Sequence, residues 1–423
     1  MSSLSVLHIN TWGGIGGAFI TSDRLHRSLL EAGVRSDYAY GRALQDSDSS
    51  LKGLDSYHFL GARRPLAEAA LTKVSRKIGL NDITRFSSFR LMEEPFFKAA
   101  SVLNFHNLHS DFFSYLALPK LTAQKPAVWT LHDMWSFTGH CSYSYECDRW
   151  RSGCGKCPNL GEEPMVQRDA TDWEWKLKDW TYNRAKLTIV APSLWLCEQA
   201  KQGLLGRFPV HHIPYGIDTQ IYQPLDPQHC RHVLGIPPGR KVLMFGAQSL
   251  TNARKGGDLL FESVAALPSS IKANTVLLTF GSGNSQKLKT LGMETISLGY
   301  VSSDRIKAIL FSAADVFVFP TRADNLPLVL QESIACGTPM VSFKVGGVPD
   351  MVRPGVTGLL AEPEDALDLS AKIVEILEAD ELRAAMRKNC REIALKEYAL
   401  ELQRDRYIEL YQQLLSGART QVA

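Results

Sequence analysis

Short apolar runs alternate with helical periodicity in two separate series, and the point where the pattern restarts constrains the fold more than any other feature of the chain. The first series opens at Leu4 to Ile9, turns through glycines, and enters a 3.6-residue pattern from Ile20 to Ala32 that Gly33 closes. Further strand candidates stand at Ser36 to Tyr40, Val102 to His106, Ala127 to Leu131 and Leu187 to Ala191. The second series begins at Lys241 to Phe245 and continues through Thr275 to Phe280, Thr295 to Leu298, Val316 to Pro320 and Pro339 to Phe343. Apolar strands alternating with helices are the pattern of a doubly wound parallel sheet. The proline-rich stretch Ile213 to Gln228 lies between the series and reads as a linker. The expectation is an α/β protein of two Rossmann-like domains facing each other across a cleft at the carboxyl ends of their strands. Residues 1–212 make the first domain, with a cysteine-rich insertion near 139–160, and 213–228 the linker. Residues 229–400 make the second domain, and 401–423 a C-terminal helix returning to the first.

A chain of 423 residues can bury two cores of ordinary size. Its net charge of +3 is small for that length and gives no sign of a nucleic-acid partner. Met1 to Asn10 lacks a basic segment followed by a long apolar one, and no stretch approaches 18 uninterrupted apolar residues, so a cytoplasmic location is expected. Cys197, Cys230, Cys336 and Cys390 are scattered singly, as reduced thiols are.

The richest stretch is Pro320 to Asp350, where a strand ends, a turn follows, and a helix starts near Val329. A helix start at the carboxyl end of a strand offers free amides and a positive dipole to an anion. Asp324 lies on the turn and Glu332 one turn into the helix, so one carboxylate can reach a sugar hydroxyl and the other a ribose diol. The plainer alternative is that Asp324 caps the helix and Glu332 is a solvated charge. Upstream, Arg254-Lys255-Gly256-Gly257 follows the first strand of the second series, with two cations able to neutralise a diphosphate. By themselves such cations are usually solvated.

An acidic pair separated by seven residues, followed by Ala335-Cys336-Gly337-Thr338-Pro339, resembles glycosyltransferase family 4, the retaining GT-B type found in bacterial polysaccharide synthesis. Gly346-Gly347-Val348-Pro349-Asp350, Gly355-Val356-Thr357-Gly358, Ala191-Pro192-Ser193 and Ile213 to Asp218 extend the likeness over nearly the whole chain. Two features depart from the family pattern: Asp324 in place of the commoner glutamate, and Asn325-Leu326-Pro327 in place of a glycine-rich turn. The resemblance implies a sugar transfer from a nucleotide-sugar donor to a glycan or lipid-linked acceptor. It also implies that Asp324 contacts the donor sugar, amides from Asn325, Leu326, Pro327 and Leu328 hold the distal phosphate, and Glu332 binds ribose. Arg254 and Lys255 become the diphosphate clamp, and Gly281 a turn beside the nucleoside. In the first domain the loop TWGGIGGAF does not fit a dinucleotide fingerprint, because Phe19 stands where its third glycine belongs. Resemblance instead makes Gly14, Gly16 and Gly17 a loop approaching the donor. It likewise brings His132, just after a strand, to the donor sugar, with His106 and His109 on the same rim.

No catalytic metal is expected: Asp46-Ser47-Asp48 formally fits Asp-x-Asp but lies in a serine-rich polar stretch. Cys141, Cys147, Cys154 and Cys157 are a separate matter, because four thiols in so short a span can surround one structural Zn²⁺. The run Arg63 to Lys77 places Leu66, Ala70, Val74 and Ile78 on one helical face among basic residues. The ordinary expectation is that this face packs inward; the other is a peripheral contact with a membrane. Two further readings of the whole chain remain open on the sequence, a nucleotide-sugar epimerase on the same fold and a non-catalytic nucleotide-sugar-binding protein.

Overall fold

The computed structural model describes residues 4–43, 51, 53–61, 66–249, 252–283 and 290–420. Asp46, Asp48, Arg63 and Arg64 lie outside them. The chain forms two compact units, Met1–Gly216 with Glu401–Ala423, and Ile217–Leu400.

In the first unit, β1 (Ser5–Gly13), β2 (Arg35–Ala43), β3 (Tyr57–Phe59), β4 (Val102–Phe105), β5 (Ala127–Thr130), β6 (Thr188–Ala191) and β7 (Val210–His212) form one sheet. Its order is β3-β2-β1-β4-β5-β6-β7, with parallel pairing. The two-residue period of the strands sorts their side chains between two layers. Leu7, Leu103, Trp129 and Ile189 enter a large core with Phe105, Trp135 and Phe137. Val6, Val102, Val128 and Val190 face the opposite way, onto Leu25 and Leu29 of helix α1 (Gly17–Glu31) and Tyr407, Leu410 and Tyr411 of the C-terminal helix Leu400–Thr420.

Helix α2 (Leu66–Lys77) does not follow the ordinary expectation for an amphipathic surface helix. It buries Glu68, Thr72 and Ser75 and leaves Leu66, Leu71 and Val74 exposed. Specific bonds set that orientation: Glu68 accepts the Ser87 N–H at 2.7 Å, and Thr72 meets Thr84 hydroxyl to hydroxyl at 2.8 Å. Helix α3 (Thr171–Tyr182) lies further along the same unit.

In the second unit, β8 (Lys241–Ser249), β9 (Thr275–Ser282), β10 (Glu294–Ser297), β11 (Val316–Phe319), β12 (Met340–Phe343) and β13 (Gly358–Ala361) form a parallel sheet in the order β10-β9-β8-β11-β12-β13. Helices α4 (Gly257–Ala265), α5 (Asp304–Ala313) and α6 (Leu328–Ala335) follow β8, β10 and β11. Each sheet reverses its direction of winding beside its first strand, between β1 and β4 and between β8 and β11. Loops leaving the carboxyl ends of strands at such a reversal are where open α/β sheets bind ligands. In the second unit these are the loops that carry Arg254, Lys255 and Asp324. No helix among the described residues is long and apolar enough to cross a membrane.

Candidate active site

The loop after β8 is pressed against the end of β11, and a glycine makes that possible. Gly256 has φ +68°, and a Cβ there would stand 1.7 Å from the Pro320 carbonyl oxygen. Just before it, the Asn252 side chain accepts the Arg254 N–H at 3.0 Å, while the Arg254 carbonyl accepts from the Arg322 N–H and the Thr321 hydroxyl. On the far side, Gly346 at φ +51° lets its loop touch Asp324, whose carbonyl accepts the Gly347 N–H at 3.1 Å.

These backbone constraints gather Arg254, Lys255 and Asp324 into one group. Lys255 Nζ lies 2.6 Å and Arg254 Nη1 3.0 Å from Asp324 Oδ2, which also accepts the Thr321 hydroxyl at 3.0 Å. Arg254 Nη1 further donates to the Ala323 carbonyl at 2.6 Å. Burial works against ionisation of Asp324, but Lys255 and Arg254 override it and hold the carboxyl below its ordinary range. Burial also lowers the Lys255 ammonium, opposed by Asp324. Asp324 is therefore the counter-ion of both cations and does not cap α6, whose N-cap is Pro327 with no side-chain cap bond. Asn325, Leu326 and Pro327 lie buried in the turn, and Leu328, partly exposed, opens that helix.

Glu332 belongs to a second group that the sequence did not reveal in full. Its Oε1 accepts from the Tyr222 hydroxyl at 3.1 Å and from Lys307 Nζ at 3.2 Å, and Lys307 also reaches Asp304 at 2.9 Å. Burial would lower the Lys307 ammonium, but Glu332 and Asp304 raise it. Glu332 is 3% exposed, and its Oε2 is buried without a hydrogen-bond partner. A buried carboxylate oxygen left without a donor is costly unless a ligand supplies one. The spacing of Asp304 and Lys307 on one helix was visible in sequence; Tyr222, 110 positions from Glu332, carried no local signal. Gly281, at φ +136°, is the penultimate residue of β9 and donates its N–H to the Gly299 carbonyl at 2.7 Å.

In the first unit Gly14 and Gly16 have φ +83° and +84°, and Gly17 opens α1 directly after them. His132 has both ring nitrogens engaged within that unit. Its Nε2 is 3.0 Å from His106 Nδ1 and its Nδ1 2.7 Å from the Tyr215 hydroxyl, with the Tyr215 ring stacked on it. His106 Nε2 in turn lies 3.0 Å from His8 Nδ1. Burial holds His8 and His106 well below the usual imidazole range and lowers His132 to about 4, so the three are neutral. One polarity gives every ring N–H an acceptor: His8 donates to His106, His106 to His132, and His132 to Tyr215. It leaves a lone pair on His8 Nε2, the atom with no partner, and a buried lone pair costs less than a buried N–H. A donor sugar thus reaches a nitrogen of His132 only if one of these bonds opens. His106, 1% exposed, sits inside this chain and not on a rim, while His109 pairs with Asp133 at 3.3 Å.

Cys141, Cys147, Cys154 and Cys157 are free thiols in one neighbourhood, where burial raises Cys141 to about 12 and Cys154 to about 11. The Cys154 sulfur takes the Gly139 N–H at 3.1 Å and the Cys157 sulfur lies 3.4 Å from His140 Nε2. Among the described residues no group of three or more His, Cys, Asp or Glu is disposed to hold a metal ion. A structural Zn²⁺ on these thiols is thus a proposal that needs them to exchange their present partners. About one zinc per chain in protein prepared without chelator supports it and zinc-free protein overturns it.

Residues 15–221 match the family described as Glycosyltransferase Family 4, and residues 230–393 that described as Glycosyl transferases group 1. The chain is 25% identical over 391 residues to WcaC of Escherichia coli K12, named as a colanic acid biosynthesis glycosyl transferase, spanning 85% of this chain and 88% of that one. It is 30% identical over 240 residues to D-inositol 3-phosphate glycosyltransferase 1 of Catenulispora acidiphila, 51% of this chain and 55% of that one. In fold it resembles the sucrose-phosphate synthase of Thermosynechococcus elongatus, with a TM-score of 0.71 at 18% identity over 98% of this chain and all of that one. Anabaena HepE in complex with UDP-glucose superposes with a TM-score of 0.66 at 16% identity over 97% of this chain and all of that one.

Proposed function

Because the chain belongs to the GT-B glycosyltransferases, its two halves matching family 4 and group 1, we propose that it transfers a sugar from a nucleotide-sugar donor to a glycan or lipid-linked acceptor in surface polysaccharide synthesis, with retention at the anomeric carbon. The observation that carries the donor half is the second unit's switch point, where Arg254 and Lys255 converge on Asp324. The likeness to WcaC supports the polysaccharide setting.

On this reading Arg254 and Lys255 face the charge that grows on a departing nucleoside diphosphate. Asp324 holds them in place beforehand, so little reorganisation is needed when that charge develops. A preorganised donor of this kind is worth about 2.7–4 kcal/mol in the transition state. The free Oε2 of Glu332 accepts a ribose hydroxyl, while Tyr222 and Lys307 fix the other oxygen. No protein carboxylate is assigned as nucleophile: the leaving phosphate accepts the acceptor's proton on the face from which it departs.

The test is a panel of nucleotide sugars incubated with a polysaccharide-repeat acceptor, following release of nucleoside diphosphate and the anomeric configuration of the product by NMR. Acceptor-dependent release with an unchanged anomer supports the proposal. An inverted product removes the retaining mechanism, and epimerised donor without transfer removes the transferase reading.

A further inference from the structure

His8, His106 and His132 form a row across the first sheet because three adjacent strands carry them. His8 lies on β1, His106 directly after β4 and His132 two residues after β5. The row has an inner and an outer end: His8 is wholly buried and His106 is 1% exposed, whereas His132 is partly exposed. The middle member is also pinned by its backbone, since the His106 carbonyl accepts Trp129 Nε1–H and its N–H donates to the Ile9 carbonyl, both at 2.9 Å. At the inner end, the rings beside His8 are those of His26 and Tyr38. Neither offers an acceptor to His8 Nε2, because the His26 nitrogens are on the Ser36 and Ser56 hydroxyls and the Tyr38 hydroxyl is bonded to Asn10 and Ser22. At the outer end, the Leu131 carbonyl, 3.4 Å from the Tyr215 hydroxyl, takes its hydrogen and leaves its lone pairs toward His132 Nδ1.

Both ends therefore set the same direction. That direction is passed along the row, since a neutral imidazole that receives a hydrogen bond at one nitrogen carries its own hydrogen on the other. We infer that His8 and His106 are positioning residues that hold His132 as its Nδ1–H tautomer, so that it offers a substrate a hydrogen-bond donor and never a base. The lone pair a base needs is on Nε2, where the His106 N–H occupies it inside the core. The bond to Tyr215 is the one that faces outward, and an oxygen of the donor sugar takes the place of the Tyr215 oxygen there. The identity of that oxygen rests on the proposed sugar transfer, whereas the tautomer is a property of the first unit alone.

The test uses the full chain with 15N-labelled histidine, the His132 signals being identified among the eleven histidines by their loss in His132→Gln. Ring 15N shifts distinguish a protonated nitrogen from a bare one, and wild type is expected to carry hydrogen on Nδ1 of His132 and none on Nε2. His8→Asn and His8→Asp put an amide or a carboxylate where the imidazole Nδ1 stands. The amide still donates to His106, and the tautomer is expected to stay. An ionised carboxylate only accepts, so the whole row turns round and His132 donates to His106 through Nε2. With its Nδ1–H gone, kcat is expected to fall by about tenfold in His8→Asp, the worth of one hydrogen bond made in the transition state. It recovers in His8→Asn, and nucleoside diphosphate affinity, assigned to the second unit, does not change. Hydrogen on Nε2 of His132 in wild type overturns the inference even where His8→Asp fails to fold. So does a folded His8→Asp whose His132 keeps its tautomer, or a reversed tautomer with kcat unaltered. Absence of transfer by wild type removes the sugar-transfer reading instead, and the two spectra still decide the role of His8 and His106.

Discussion

Asp324 and Glu332 share a spacing in sequence but differ in how their oxygens are used. Asp324 gives one oxygen to two cations and a hydroxyl, whereas Glu332 keeps one oxygen buried and unmet. Changing Glu332 to Gln removes the charge that draws Lys307 and replaces the waiting acceptor by an amide. A hydrogen bond to a charged group is worth about 1.5–3 kcal/mol, so nucleoside diphosphate affinity is expected to fall roughly tenfold to a hundredfold by calorimetry. Lys255→Ala acts on the growing charge of the leaving group, and kcat is expected to fall by about a hundredfold to a thousandfold with a smaller change in donor affinity. Equal losses of affinity and turnover in Lys255→Ala count against a role in the transition state. The carboxylates and cations were legible because they recur at strand ends in local patterns. Tyr222 was not, and neither was the engagement of His132 by His106 and Tyr215, since those partners are 26 and 83 positions away and only the sheet brings them together.

Among the elements, the strands that sequence reading missed are β3, β7 and β13, each at the edge of its sheet and three or four residues long. An edge strand pairs on one side only, and a run of three or four residues is too short to show a period. The amphipathic pattern of α2 was plain, but not which side faces the body, because buried Glu68 and Thr72 find partners on a later segment. Helix α3 carries a different surprise. It buries Lys178, whose Nζ donates to the Trp135 and Thr138 carbonyls at 2.6 and 3.0 Å and so ties down the start of the cysteine insertion. Beside it, burial raises Glu174 to about 8 and Asp82 to about 7, although Lys178 pulls both down. The folded chain therefore keeps protons on these carboxyls that the unfolded chain loses near their ordinary values of 4.5 and 3.8. Between those values and about 7 to 8 the native state binds more protons, so stability falls as pH rises. The melting temperature is expected to be higher at pH 5.5 than at pH 8 as far as these two groups govern it, a trend set by about 1.4 kcal/mol per pH unit per group at most. Glu174→Gln removes one of them, so its stability curve flattens across that window; an unaltered slope by calorimetry refutes the assignment.

At the scale of the molecule, the backbone passes between the two units twice, at Gly216–Ile217 and at Leu400–Glu401. The two passages are bonded to each other: the Ile217 N–H donates to the Tyr398 carbonyl at 2.8 Å and the Leu400 N–H to the Ile217 carbonyl at 3.0 Å. After the second passage the C-terminal helix completes the first unit's core. Tyr407 and Tyr411 are fully buried there, Tyr411 accepting the Asn104 amide N–H and Tyr407 meeting the Thr130 hydroxyl, both at 2.8 Å. Stability of the first unit thus depends on residues that follow the second unit in the chain, while the donor groups Arg254, Lys255, Asp324 and Glu332 all belong to the second. Tyr411→Ala empties an aromatic site in the first core, and removal of such a ring costs about 3–5 kcal/mol. Calorimetry is expected to show an unfolding step moved to lower temperature, while the nucleoside diphosphate affinity of the folded protein stays within about twofold, as for sites that share no partners. Tyr411→Phe keeps the ring and loses only the bond from Asn104, a cost of about 1–3 kcal/mol. If the Ala variant loses nucleotide affinity at a temperature where circular dichroism shows it fully folded, the C-terminal helix acts on the donor site, and the energetic independence of the two units does not hold.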